Sequence, residues 1–138
     1  MSLSPIYATD FYKLSHIDQY PPNTQYIYSN FTCRSAKLFP GLPDFDNKVV
    51  FFGLQGFLEN YLVKTWNREF FDKPFDFSEQ FKYKRFVHEA LGIPTHKVRV
   101  QHLIDLHELG YLPIEIKSLP EGSRVNIKVP LFTIMYPG

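Results

Sequence analysis

Hydrophobic residues change their spacing twice along this sequence of 138 residues. Residues 24–35 alternate strictly, with Ile27, Phe31 and Cys33 on one side and Tyr26 and Arg34 among those on the other. Such a period of two is typical of a strand with one side facing a core. Helical spacing follows in the middle of the chain, and alternation returns at 112–118 and 125–129. Strands on either side of a helical middle predict an α+β fold.

Capping and helix-breaking residues give the expected bounds of the helices. Thr9 or Asp10 is a candidate N-cap before a short helix, and Asp76 with Glu79 has the spacing of a capping box. Gly110 would close the last helix. The sequence predicts helices at 11–17, 53–65, 78–91 and 98–109, a loop at 39–48 and irregular structure at 67–77. These four helices are expected to pack on a largely antiparallel sheet made from 24–34 and 112–136, with a turn at 120–122 and a buried strand at 131–136.

Length and charge narrow the class of protein. The chain is expected to form one domain over 1–138, and it is too short for a closed barrel of eight βα units, which needs roughly 250 residues. Fifteen basic and fourteen acidic residues give a net charge of +1, so no long-range field favours nucleic acid or an anionic membrane. No apolar run reaches the length of a membrane span. The single cysteine, Cys33, cannot form an internal disulfide, which fits a cytoplasmic location.

Several patterns that carry chemistry in other proteins are absent or weak. No glycine-rich phosphate loop is found. His102 and His107 diverge by about 140° on a helix, and half-buried or surface histidines are favoured over a metal site. Cys33 is expected to be a small core residue and not a nucleophile. The basic run Lys82, Lys84 and Arg85 lies near two glutamates, so we expect a solvated helix face.

The segment 6–24, IYATDFYKLSHIDQYPPNT, carries more functional groups than a structural helix requires. The sequence resembles the N-terminal domain of the nicotinamide phosphoribosyltransferase family in this segment and in four others. These are SNFTCRS, VFFGLQGFLENYL, YLPIEIKSLPEG and VPLFTIM, and all five occur in the same order and at compatible spacing. The resemblance covers nearly the whole chain and is weakest in 64–100. Its most specific part is A-T-D-x-Y-K-x-x-H-x-x-Q-Y-P-P-N-T.

The resemblance implies roles for three residues. Tyr12 matches a tyrosine that stacks on the nicotinamide ring, reaching from one subunit into the site of the other. Asp10 matches an acidic residue beside it, which would accept a hydrogen bond from the carboxamide and repel nicotinate. Arg34 matches an arginine that helps to hold the substrate phosphate. Judged without the family, each has a structural alternative: a helix cap for Asp10, dimer packing for Tyr12 and a surface ion pair for Arg34.

The resemblance also implies what the whole protein does. Members of the family make nicotinamide mononucleotide and pyrophosphate from nicotinamide and phosphoribosyl pyrophosphate, usually as homodimers, and Mg²⁺ is expected for the complete enzyme. The family's catalytic α/β barrel would follow the segment that ends at Gly138. We therefore expect no catalytic residue, metal ligand or cofactor in this chain, and no activity from the chain alone. The alternatives are the N-terminal domain of a nicotinate phosphoribosyltransferase and a non-catalytic binding or interaction module.

Two structural expectations follow from this interpretation. If the segment 8–20 reaches across a dimer interface, Asp10 and Tyr12 should be accessible and not part of the core. If a barrel is missing, apolar side chains should be left exposed and favour self-association.

Overall fold

The computed structural model describes residues 3–38 and 46–137. The α-helices and strands follow one another as β1 Tyr26–Thr32, β2 Lys48–Val50, α1 Leu54–Phe57, α2 Phe77–Leu91, α3 Gln101–Leu109, β3 Glu115–Ser118, β4 Arg124–Asn126 and β5 Pro130–Pro137. Short 3₁₀ helices lie at Pro5–Tyr7, Phe11–Asp18, Ala36–Leu38 and Thr95–Lys97, and π-helical segments follow α1 at Leu58–Thr65 and Asn67–Phe71. Helices together with antiparallel sheets confirm the α+β prediction.

The chain divides into two compact units. The first takes the chain up to Pro22 and Phe57–Leu112, and the second takes Asn23–Gly56 and the chain from Pro113 onward. The helices after α1 lie in the first unit and the strands in the second. One domain over 1–138, with the helices packed on the sheet, stays a prediction.

Local sequence signals explain the two long helices of the first unit. Asp76 is the N-cap of α2 and accepts a hydrogen bond from the backbone N–H of Glu79 at 3.1 Å. Gly92 and Gly110 close α2 and α3 in the left-handed region, with φ of 72° and 82°, which glycine adopts without a steric penalty. These predicted ends are confirmed. The predicted start of α3 at 98 is wrong, because the helix begins at Gln101.

The core of the first unit is formed where α2 and α3 meet the residues between them. Its buried members are Tyr83, Val87, Val98, Val100 and Leu103. Tyr83 and Val87 are four residues apart, so they share one face of α2. Val98 and Val100 were predicted to be helical, yet they enter the core from the segment that precedes α3.

The helical region after α1 extends further than the pattern indicated. Residues 67–71 were predicted to be irregular, but they continue the helical path as a π-helical segment. Trp66 contacts both Phe70 and Phe71 through its ring. Spacings of four and five residues bring side chains together when each turn is widened. The prediction is therefore wrong for this stretch.

The second unit contains two antiparallel sheets. The larger has the strand order β1-β5-β3, and β2 pairs with β4 in the smaller. In the larger sheet Tyr28 lies opposite Met135 and Ile116 opposite Ile134. The predicted turn at 120–122 is present, but it does not join paired strands: β3 pairs with β5, and β4 with β2.

Burial in the larger sheet follows the predicted pattern only in part. The apolar run 131–136 is the central strand, yet only Leu131 is buried, residues 132–135 are half-buried and Tyr136 is exposed. Phe31 was predicted to face the core and is instead exposed, stacked on Phe132 with the ring centroids 4.9 Å apart. The predicted loop at 39–48 falls largely outside the described residues, and β2 begins at Lys48.

Candidate functional site

The segment with the unusual side chains forms a 3₁₀ helix, Phe11–Asp18, none of whose residues is buried. A helix was predicted here at 11–17, but with α-helical geometry. Asp10 occupies the predicted N-cap position, although its side chain makes no capping hydrogen bond. The Ser15 hydroxyl instead donates to the Tyr12 carbonyl at 2.9 Å, and the Gln19 amide donates to Ser15 Oγ at 2.8 Å. These local bonds stabilise the turn before the two prolines.

Three contacts fix this 3₁₀ helix to the first unit. Leu14 packs against the buried core cluster. Phe11 meets Phe86 of α2 in an edge-to-face arrangement, with the centroids 6.0 Å apart. Asp18 accepts a hydrogen bond from Arg99 Nη1 at 3.1 Å. The helix is therefore held through one side, and its other side remains open.

The side chains of Asp10, Tyr12, Lys13 and His16 contact one another in series, and we call them the site cluster. Lys13 Nζ lies 3.1 Å from Asp10 Oδ2 and 5.8 Å from the centroid of the Tyr12 ring. The Tyr12 and His16 rings are 5.8 Å apart and tilted by 57°. The hydrogen bond to Asp10, helped by its charge, raises the pKa of Lys13.

Both predicted base-binding residues in the cluster are accessible. The Tyr12 residue is 62% exposed and the Asp10 side chain 60%. Neither belongs to the core of the unit, which confirms the expectation of accessibility. Their roles towards a ligand stay predictions.

Arg34 lies two residues beyond β1, in the second unit, and is exposed. Among residues 3–38 and 46–137 it makes no ion pair. The predicted role of Arg34 towards a phosphate stays a prediction. The structure brings Asp10 and Tyr12 together within one unit, and the cooperation of Arg34 with them stays a prediction.

The other chemistry-bearing side chains differ in their surroundings, and among the described residues His102 Nδ1 is buried without a hydrogen-bond partner. His107 Nε2 lies 2.7 Å from the Lys73 carbonyl, and burial lowers the pKa of His102. The Cys33 thiol is free and half-buried. In the described part of the chain, no group of three or more His, Cys, Asp or Glu side chains is placed to hold a metal ion. No helix within residues 3–38 and 46–137 is long and apolar enough to cross a membrane.

Of the basic run on α2, Lys82 and Arg85 are solvated as predicted, whereas Lys84 is half-buried. Lys82 pairs with Glu79, and Arg85 pairs with Glu89 at 3.2 Å. All four side chains keep a substantial exposed fraction. This face offers no concentrated positive charge for a polyanion.

A buried carboxylate, Glu69, was missed by the sequence reasoning. Glu69 is 5% exposed, and it accepts hydrogen bonds from Arg68 Nε and Lys73 Nζ. It lines a cleft of about 660 Å³ in the first unit, together with Tyr7 and Phe70. The sequence did contain one indication of this arrangement, since Arg68 precedes Glu69 directly and Lys73 follows it by four residues. Because both cations compensate its charge, Glu69 serves the packing of the π-helical segment.

Glu121 is a second residue whose role the sequence did not reveal. Its carboxylate accepts hydrogen bonds from the backbone N–H groups of Gly53 at 2.7 Å and Gln55 at 3.0 Å. These bonds, the one from Gln55 first, lower the pKa of Glu121. Glu121 thus provides the hydrogen-bond acceptor for backbone N–H groups at the start of α1, although it lies in a turn 66 residues further along the chain than Gln55.

Comparison with known proteins gives a consistent result. The sequence profile of the family described as "Nicotinamide phosphoribosyltransferase, N-terminal domain" matches residues 4–116. A relative from Acinetobacter baylyi (strain ATCC 33305 / BD413 / ADP1), named "Nicotinamide phosphoribosyltransferase", is 51% identical over 135 residues. The aligned region covers 96% of this chain and 26% of the relative. The chain therefore spans about a quarter of the length of that relative.

Proposed function

The chain belongs to the nicotinamide phosphoribosyltransferase N-terminal domain family, and on that premise we propose that it is the N-terminal part of an enzyme that makes nicotinamide mononucleotide. The complete protein transfers phosphoribosyl from phosphoribosyl pyrophosphate to nicotinamide and releases pyrophosphate. The observation that carries the proposal is the site cluster: the family's A-T-D-x-Y-K segment forms the N-cap and first residues of a 3₁₀ helix, where the exposed Asp10 and Tyr12 both contact Lys13.

The chemistry of the cluster suits a neutral, electron-poor ring. In the proposed complex, the phenol of Tyr12 stacks on the pyridine, which adds about 0.5–1.5 kcal/mol to simple burial of the ring. The Asp10 carboxylate accepts a hydrogen bond from the carboxamide N–H, and Arg34 donates to a substrate phosphate. Fixing the ring in this way aims its nitrogen at the sugar carbon.

The phosphoryl and metal chemistry is assigned to the remainder of the protein. Phosphoribosyl transfer needs groups that stabilise the departing pyrophosphate, and Mg²⁺ would supply part of that stabilisation. Following the family resemblance, the proposal assigns the groups that bind Mg²⁺ and pyrophosphate to the family's barrel. The chain alone is therefore expected to be inactive.

Assembly as a homodimer in the cytoplasm is part of the same proposal. Large apolar side chains are exposed in both units, and Phe52 and Phe77 are more than four-fifths exposed. Tyr26 and Tyr28 lie two apart on β1, so they share one face of the sheet. Such side chains support contact with further polypeptide, either the remainder of the protein or a second copy.

The experiment compares the complete protein with the 138-residue chain. We expect the complete protein to form nicotinamide mononucleotide from nicotinamide, phosphoribosyl pyrophosphate and Mg²⁺, and the chain alone to form none above a control without protein. Tyr12→Ala in the complete protein should raise the KM for nicotinamide about 2- to 10-fold, the equivalent of the lost stacking, whereas Tyr12→Phe should change it little. Faster turnover of nicotinate than nicotinamide would favour the nicotinate enzyme, and absence of any product would favour a binding module.

A further inference from the structure

Lys13 contacts both residues to which base binding is assigned. Its ammonium lies 3.1 Å from Asp10 Oδ2 and 5.8 Å from the Tyr12 ring centroid, within the range of a cation–π contact. The turn is fixed by the backbone, since Lys13 N–H donates to the Asp10 carbonyl at 3.0 Å. A 3₁₀ helix has three residues per turn, so side chains three apart line up on one side. The geometry therefore keeps the lysine beside the carboxylate.

We propose that Lys13 is a specificity-determining residue, which sets the net charge that the exocyclic group of the pyridine base meets. The inference rests on the proposed function and names a residue that the family resemblance does not assign. Lys13 and Asp10 together form a neutral pair, so the base meets a dipole and not an isolated carboxylate. A neutral carboxamide tolerates either environment, whereas the carboxylate of nicotinate responds to the net charge.

The proposal orders three charge states. With Lys13 neutralised, the cluster keeps an unpaired carboxylate and repels nicotinate more strongly. With Asp10 neutralised, it keeps an unpaired ammonium and attracts nicotinate. One unit charge about 6 Å from the substrate carboxylate, at an effective dielectric constant between those of a protein surface and water, changes relative rates about 3- to 30-fold. The ratio of kcat/KM for nicotinamide over nicotinate should therefore fall in the order Lys13→Met, wild type, Asp10→Asn.

Exposed ion pairs usually contribute little to stability, so we expect Lys13 to affect substrate specificity and not folding stability. The pair has side chains 51% and 60% exposed in this chain. A bound base and the partner subunit of the proposed dimer would remove water from the pair and strengthen its interaction with the substrate charge. The chain also offers a matched control. Lys82 and Glu79 form an ion pair with the same spacing of three residues on α2, and neither residue belongs to the site cluster.

The test uses the complete protein, with all variants assayed at one pH. Lys13→Met should raise the nicotinamide-to-nicotinate ratio about 3- to 30-fold, mainly through the KM for nicotinate, and Lys13→Gln should do the same. Lys13→Arg, which keeps the charge, should stay within about 2-fold of wild type, as should Lys82→Met. The double variant Asp10→Asn with Lys13→Met restores a neutral cluster and should return the ratio towards wild type.

Each alternative outcome overturns the inference. An unchanged ratio in Lys13→Met and Lys13→Gln, in an active protein, would show that Lys13 does not set specificity. An equal fall in kcat for both bases that Lys13→Arg fails to rescue would indicate a purely structural lysine. A double variant that keeps the shifted ratio of either single variant would show that the net charge of the pair does not set the ratio. If the wild-type protein forms neither mononucleotide, the proposed function is wrong and the inference fails with it.

Discussion

Replacement of Leu103 by alanine tests whether the small core of the first unit supports the site helix. Leu103 is 8% exposed and packs in the buried cluster of α2 and α3. Truncating a buried leucine costs about 2–5 kcal/mol, and we expect the lower half, about 2–3 kcal/mol, because many neighbours of the cluster are only half-buried. At about 2.1 cal/mol/K per residue, the entropy of unfolding of the whole chain is about 0.3 kcal/mol/K, and the change in Tm is the lost free energy divided by this entropy. The expected fall in Tm is therefore about 7–10 °C.

The control is the same substitution at the end of the same helix. Leu109 belongs to α3 but is 44% exposed, so Leu109→Ala loses little buried surface and gains slightly in helix propensity. Its Tm should stay within about 2 °C of the parent chain, as surface substitutions usually do. Thermal unfolding followed by circular dichroism measures both values on the 138-residue chain.

Hydrogen exchange extends the same test to the site. Leu14 packs against the cluster that contains Leu103, so the amides of Phe11–Asp18 should exchange faster in Leu103→Ala than in Leu109→Ala. Equal Tm changes in the two variants would refute the assignment of the core. A lower Tm with unchanged exchange in the site helix would refute the link between that core and the site.

Three further predictions concern single groups with defined contacts. Asp76→Ala should cost about 1 kcal/mol in thermal unfolding by removing the N-cap of α2, while Asp76→Asn, which keeps an acceptor, should cost clearly less. Hydrogen bonds from the N–H groups of Gln55 and Gly53 lower the pKa of Glu121 from 4.5. The ionised carboxylate therefore stabilises the folded state above pH 4.5, and this stabilisation is lost as the pH falls through the lower pKa of the folded state. In Glu121→Gln the free energy of unfolding should depend less on pH over that range. Burial lowers the pKa of His102 from 6.5, so the unfolded chain takes up the proton at a higher pH than the folded chain does. The Tm should therefore fall as the pH drops below 6.5, and it should fall less in His102→Leu.

The start of α2 and the C-terminal ends of α2 and α3 could be predicted because the interactions that fix them are local. Asp76 caps the N–H of a residue three positions later, and Gly92 and Gly110 relieve strain at helix ends that the sequence itself marks. Accessible Asp10 and Tyr12 were also predicted, because the family segment that contains them is long and specific. Neighbours along the chain determine the helix ends, so these can be inferred without knowing the path of the rest.

Only the tertiary structure decided which distant segments meet. The hydrophobic pattern predicted strands near β3 and β4. Their pairing partners, β5 and β2, depend on burial and on backbone hydrogen bonds between segments far apart in the sequence. The buried Glu69 and the reach of Glu121 to the start of α1 have the same cause. A carboxylate finds its partner by proximity in space, which alternation and helical period do not specify, and the contact of Lys13 with both Asp10 and Tyr12 required the three-residue turn that the structure adopts.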